Sequence, residues 1–372
     1  MNTNASDNFN HQKCMLLLNA ARLPFRLMDE VFTNSPESLW EEAEALWEKL
    51  NFSQIVAARL RKLLDKSWAE REMERLQNTG VHFFSVNDNE YPDKLRNLQN
   101  PPVGIYVNGN WRKFLEINSI GVVGTRRCSN YGKYVAHSIG EALSIAGISV
   151  VSGGALGIDA AAHIGCLNAG GVTVAVLGTG INLVYPGKHV ELFKKITENG
   201  ALVSEYPFGD QGNTWHFPER NRIIVGLSNR LVVVEAPVDS GAMISARLAL
   251  EAGIEIWSVP GQITDKTATG TNKLLRDGAL VLADIGEFIE IVGNSSNQFS
   301  IPFPVENEKV TFTDDEKIIL AILKQSGNRT VDDIVAESKM SLQQVHFCLS
   351  SLIATEFVFL SGPGRFSAAY PG

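Results

Sequence analysis

No run of 18 or more apolar residues occurs in this 372-residue chain, so nothing in it is long enough to cross a bilayer as a helix. The opening stretch, Met1 to His11, is mostly Asn, Asp, Ser and Thr and lacks the basic start and apolar run of a secretory leader. Cysteine is scarce. Cys14, Cys128, Cys166 and Cys348 stand far apart without a C-x-x-C pair, which argues against a zinc ribbon and fits isolated thiols in a reducing compartment. These absences predict a cytoplasmic protein with no metal site. A surplus of positive charge is missing too: 33 Lys+Arg face 41 Asp+Glu, a formal −8. The balance is even along the chain, with 12 basic and 15 acidic side chains in residues 1–100, 15 and 17 in 101–293, and 6 and 9 in 294–372. A polyanion therefore has to be held by a few cations converging with backbone N–H groups in a cleft.

What is present is an ordinary globular composition, 44% hydrophobic, in a chain long enough for about 2.5 domains. Residues 1–100 read as a helical N-terminal domain with a linker. Apolar positions recur at three-to-four spacing from Leu16 to Phe32 and from Leu39 to Leu50, and Asn34-Ser35-Pro36 marks a helix start. A charged helix from Ser53 to Asn78 ends at Gly80, and a short strand, Val81 to Val86, comes after it. From residue 101 to 293, short apolar strands alternate with helices near 132–146, 158–169, 188–198 and 242–252. The strands are expected at Gly104–Val107, Ser119–Val123, Ser149–Ser152, Val172–Leu177, Ala201–Ser204, Arg230–Glu235, Glu255–Val259 and Ala279–Leu282. Strands apolar on both faces predict a doubly wound α/β fold with a covered parallel sheet. Residues 294–308, rich in Asn, Ser and Pro, read as a linker. In 309–372 three capped helices, started by Thr313, Thr330 and Ser341, precede two strands around Gly362-Pro363-Gly364, the outline of a winged helix.

Chemistry-bearing residues gather where such sheets place ligands, at the C-terminal strand ends. Gly124-Thr125-Arg126-Arg127 turns into a helix near Ser129 or Asn130, whose N-terminus could seat an oxyanion while Arg126 supplies a forked donor. Ser152-Gly153-Gly154-Ala155-Leu156-Gly157 offers a glycine loop, with Asp159 stabilising its own helix start and His163 a packed residue rather than a base. Its spacing is neither G-x-G-x-x-G nor a P-loop, which argues against dinucleotide oxidoreductases and P-loop NTPases. Tyr185-Pro186-Gly187-Lys188 presents a ring beside a cation, a pairing suited to single-stranded nucleic acid. Arg220, Asn221 and Arg222 open another helix, Ser240 is a helix cap, and Lys273 and Arg276 share one turn.

The succession GTRRCSNYG, SGGALGIDAAAH, VLGTGINLVYPGKH, SEYPFG, FPERNRIIVGLS, VVVEAPVDSGAMISARLALEAG and GTNKLLRDGA resembles the bacterial DNA processing protein A family, DprA or Smf. The resemblance spans about 160 residues, Gly121 to Ala279. It implies an extended Rossmann-like domain flanked by a helical, SAM-like front and a winged-helix tail. It further implies single-stranded DNA binding without cleavage or cofactor, a homodimer, and loading of RecA recombinase onto incoming, protected DNA in natural transformation. Carried over by motif, Arg126 and Lys188 contact phosphate, with Arg220 and Arg222 around the same pocket. The full set expected at DNA is Gly124, Arg126, Arg127, Ser152, Gly153, Gly154, Tyr185, Lys188, Arg220, Asn221, Arg222 and Lys273.

Between Met340 and Gly364 there is no Lys or Arg, so the third helix of the tail is ill suited to duplex phosphates, and protein contact or regulation is the expected role. Two other functions stay open: a phosphoribohydrolase-like enzyme using Asp159, Glu205 or Glu235 as acid or base, and a helix-turn-helix regulator with a nucleotide sensor. The first lacks the expected P-G-G-x-G-T signature.

Overall fold

A computed structural model describes residues 3–22, 66–293, 312–326, 328–354, 357–362 and 364–368. The expected helices between 34 and 65 and the linker 294–308 lie outside these residues. The chain divides into two compact units, Met1–Phe299 and Ser300–Gly372.

The first unit begins with α1 (Thr3–Ala21) and α2 (Lys66–Thr79), then β1 (His82–Ser85), α3 (Asp93–Arg96), β2 (Gly104–Gly109) and α4 (Trp111–Leu115). Next come β3 (Ser119–Val123), α5 (Asn130–Ile145), β4 (Ser149–Ser152), α6 (Ile158–Asn168), β5 (Thr173–Leu177), α7 (Val190–Asn199) and β6 (Ala201–Ser204). The unit closes with α8 (His216–Gly226), β7 (Arg230–Val233), α9 (Gly241–Glu251), β8 (Glu255–Ser258), α10 (Thr269–Arg276), β9 (Leu280–Val281) and α11 (Ile285–Gly293). The nine strands form one sheet in the order β1-β2-β6-β5-β4-β3-β7-β8-β9. The seven neighbours from β6 across to β9 run parallel, whereas β2 is antiparallel to β6 and β1 to β2. The doubly wound core is thus as expected, but the sheet is mixed. The strand foreseen at Val81 to Val86 belongs to it as its first edge.

Residues of β3, β4, β5 and β6 are buried on both faces, the condition that made their runs continuously apolar. One core holds Val135, Ala136, Ile139 and Leu143 of α5 against Ile120, Val122, Val150 and Val232. A second holds Ile223, Ile224 and Val225 of α8 against Val151, Val174 and Val176, and extends to Met15, Leu16 and Leu18 of α1. The end of α1 is tied to the sheet: Asn19 Nδ2 donates to the Glu205 carbonyl at 2.8 Å, and Gly104 N–H donates to Asn19 Oδ1 at 3.1 Å. The sheet order reverses between β3 and β7, because the chain winds outward from β3 to β6 and then returns to lay β7 on the other side of β3. This is the switch point at which open α/β sheets leave a crevice.

The second unit packs α12 (Asp314–Ser326), α13 (Val331–Ser338) and α14 (Leu342–Ala354) with a sheet of β10 (Arg329–Thr330), β12 (Arg365–Ala368) and β11 (Val358–Gly362), a winged helix. All three expected caps are made. Thr330 and Asp333 form a reciprocal capping box, Thr313 Oγ1 accepts from Glu316 N–H at 3.3 Å, and Ser341 Oγ accepts from Gln344 N–H at 3.3 Å. No described helix is long and apolar enough to cross a membrane.

Candidate functional site

A cleft of about 550 Å³ opens at the switch point. Its walls come from the end of β3 (Gly124 to Arg127), the start of α6 (Ala155, Asp159), Tyr185, and the starts of α8 (Phe217, Arg220, Asn221) and α9 (Ser240 to Ala242). Three arginines and one aspartate line it, so a chain of net charge −8 carries a locally positive crevice.

The start of α5, expected to seat an anion, and the glycine loop ahead of α6 each already hold a carboxylate of the protein. Ser129 caps α5, accepting from Gly132 N–H at 3.0 Å. Glu235, just past β7, accepts from Ser129 N–H at 2.8 Å and from its hydroxyl. A side chain at position 132 would put Cβ 2.4 Å from the Glu235 carboxyl carbon, so Gly132 leaves room for that carboxylate. Asp159 stands in the first turn of α6 as expected, but its hydrogen bonds, from Gly153 N–H at 3.1 Å and Ala155 N–H at 3.3 Å, fasten the glycine loop ahead of the helix and cap none of the helix's own N–H groups. Burial raises the Asp159 pKa, opposed by the Arg220 charge and these N–H groups.

Arg220 lies beneath this glycine loop and is 4% exposed. It donates to the Val176 carbonyl, and burial lowers its pKa to about 10 while Asp159 acts the other way. A Cβ on Gly153 would fall 2.1 Å from Arg220 Nη1, so this glycine is required for space; positive φ is found instead at Gly154 (+62°) and Gly157 (+82°). Arg220 therefore braces the cleft floor and is not a solvent-facing phosphate ligand. Ser152 is fully buried with its hydroxyl donating to the Val122 carbonyl at 2.6 Å, so it too supports the loop. Arg222, two residues along α8 and on another face, pairs with Glu205 at 2.6 Å outside the cleft. Lys273 pairs with Asp277 and does not line the cleft either. Asn221 is 8% exposed, and its Nδ2 donates to the Gly241 carbonyl at 3.1 Å, fastening α8 to the start of α9.

The exposed face is made by other residues. Tyr185, 52% exposed, lies 5.4 Å from the Phe217 ring, and the Arg126 guanidinium sits 5.2 Å from the Phe217 centroid on the same small patch. Arg126, Arg127 and Lys188 are exposed, and no carboxylate among the described residues pairs with them. Lys188 rides on the turn Gly187–His189, and the His189 ring nitrogen Nδ1 donates to the Gly154 carbonyl at 2.9 Å, joining the tyrosine loop to the glycine loop. Phe217 was not among the expected site residues; its place beside Pro218 in the same motif as Arg220 was the available signal. Ser240 begins α9 as expected, but its hydroxyl makes no capping bond.

The family model of DNA recombination-mediator protein A matches residues 82–293, and a helix-turn-helix model, named for the RNA polymerase III subunit RPC82, matches 316–361. The chain is 32% identical over 252 residues to DNA processing protein DprA of Bacillus subtilis, covering 67% of this chain and 85% of that protein. It is 38% identical over 224 residues to Protein Smf of Synechocystis, spanning 59% of this chain and 56% of that one. The crystal structure of DprA from Streptococcus pneumoniae superposes with a TM-score of 0.65 at 28% identity, covering 78% of this chain and 98% of that one. A DprA structure from Helicobacter pylori, described for its single-stranded DNA binding mode, gives 0.54 at 28% identity over 58% of this chain and 97% of that one. With its doubly wound sheet, its switch-point cleft and a family match over more than half its length, the chain belongs to the DNA recombination-mediator protein A family.

Proposed function

We propose that the cleft binds single-stranded DNA without cleaving it, and that the chain acts in the cytoplasm as a recombination mediator that protects incoming strands and loads RecA recombinase during natural transformation. The observation that carries this reading is the Arg126–Phe217–Tyr185 patch, an exposed aromatic with unpaired cations beside it. Bases stack on such rings in any sequence, each worth about 1–3 kcal/mol, while Arg126, Arg127 and Lys188 meet the backbone. The N–H groups at the start of α5 and in the glycine loop favour this over a small nucleotide, since Glu235 and Asp159 take donors that a lone phosphate would use. The same engagement speaks against hydrolysis: Asp159, Glu235 and Glu205 are each held by N–H, hydroxyl or guanidinium donors. The RecA step rests on the family relationship. A homodimer is supported by β9, a sheet-edge strand with Leu280 41% and Val281 53% exposed.

The test is binding of fluorescent oligo-dT and of a matched duplex across a salt series. Wild type should prefer the single strand, and Arg126→Ala with Lys188→Ala should weaken binding and flatten the logarithmic salt slope by about 1.4, roughly 0.7 per cation. An unaltered affinity and slope would overturn the assignment, and release of product from a nucleoside monophosphate, lost in Glu235→Gln, would favour the hydrolase.

A further inference from the structure

The cleft uses Arg126 and Arg127 but gives no role to the exposed residues a few positions further along the chain. In the first two turns of α5, Tyr131 and Tyr134 are each 50% exposed. Three residues apart on a helix they are neighbours, and no ring among the described residues stacks on either. Folding does not call for them. The core-facing positions of α5 are Val135, Ala136, Ile139 and Leu143, all buried, and a polar residue at 131 or 134 would serve the outer face equally well. Lys133 between them is exposed and pairs with no carboxylate among the described residues. Tyr131 lies between Ser129 and Gly132, the two residues against which the Glu235 carboxylate packs at the end of β7, and partial burial, with the Glu235 charge adding to it, raises the Tyr131 pKa.

We propose that Tyr131 and Tyr134, with Lys133, form a second stacking platform for the stretch of single-stranded nucleic acid that leaves the cleft over Arg126 and Arg127. This rests on single-stranded DNA occupying the cleft. Continuity favours it: Tyr131 is five residues from Arg126, so the two backbones are at most about 18 Å apart, a span that a few nucleotides cover. Charge favours it as well, because Lys133 lies on the same exposed first turn of α5 and Arg127 just ahead of it in the chain, and neither pairs with a carboxylate among the described residues. Glu235 neutralises the N-terminus of α5, so there the side chains, not the helix dipole, attract the strand.

The test compares oligo-dT of about 6 and about 20 nucleotides, lengths set to fill the cleft alone or to run beyond it. Tyr131→Ala with Tyr134→Ala should leave the short oligonucleotide bound as in wild type and weaken the long one at least about fivefold, the lower end for one lost stack. Tyr131→Phe with Tyr134→Phe should restore the long-oligonucleotide affinity, because the ring faces remain. Lys133→Ala should reduce the salt slope of the long oligonucleotide by about 0.7 and leave the short one unchanged. Wild-type affinity for both lengths in the double alanine variant would overturn the platform and leave the tyrosines as a surface for a protein partner. Failure of the wild type to bind either length would overturn the cleft itself.

Discussion

Replacing Glu235 by glutamine tests whether an internal carboxylate occupies the seat at the start of α5. Both carboxylate oxygens work there, one taking Ser129 N–H at 2.8 Å and the other its hydroxyl. Glutamine keeps the shape and one acceptor. The best arrangement turns its oxygen to the N–H and its amide to the serine oxygen, so one charge-assisted bond becomes neutral and the hydroxyl loses its acceptor. Charge-assisted bonds contribute about 1.5–3 kcal/mol against about 0.5–1.5 for neutral ones, and the lost charge at the helix end adds about 0.3–1. The expected destabilisation is about 2 kcal/mol, or a fall of roughly 4–8 °C in the melting midpoint of a domain this size. Glu235→Ala should cost more, because it leaves Ser129 N–H without an acceptor. Thermal unfolding followed by circular dichroism measures the shift, and oligo-dT binding well below the midpoint should equal or exceed wild type. A midpoint within about 1 °C of wild type, or a tenfold loss of binding by a folded variant, would refute the reasoning.

Gly153→Ala should destabilise by about 2–3 kcal/mol, seen as a lower urea midpoint, because its Cβ would meet the buried Arg220 guanidinium; an unchanged midpoint would mean that Arg220 is free to move. His163, fully buried with Nδ1 2.7 Å from Thr173 Oγ1, has its pKa lowered to about 3 by burial, with His189 and Arg220 adding to the effect. Its folded pKa lies below the unfolded value, so the stability tied to its neutral form is present above about pH 6.5 and is lost as the pH falls toward 3, at about 1.4 kcal/mol per unit. Urea midpoints between pH 6 and pH 4 should fall less steeply in His163→Gln, and an identical slope would remove His163 from the account. Thr330→Ala should cost the winged helix about 1 kcal/mol by opening its capping box, read in the full chain as faster amide exchange in α13; unchanged exchange there would show the cap to be dispensable.

The strands Ser119–Val123, Ser149–Ser152 and Ala201–Ser204 were legible to the residue because a strand buried on both faces is apolar in its middle, and here the only polar residues are serines at the strand ends. The reversed direction of β2 was not legible. Its partner β6 lies about a hundred residues away, and nothing local in Gly104–Gly109 distinguishes a parallel from an antiparallel neighbour. The winged helix could be read from its caps, since Thr313, Thr330 and Ser341 act on N–H groups only three residues ahead.

Within the site, glycine-rich turns at strand ends announced a crevice, and a doubly wound order placed it. By itself the sequence determined the elements, the family motifs and the cluster of loops at one sheet edge, because propensity, periodicity and capping act over a few residues. Which side chains face that crevice was decided only by the tertiary structure. Arg220 and Arg222 are two residues apart and look alike in sequence, yet one is buried under Gly153 and the other is bound to Glu205, while Phe217 emerges beside Arg126. The direction and partner of a long polar side chain depend on distant segments brought alongside it, and Val176, Asp159 and Glu205 reach these arginines only when the sheet closes.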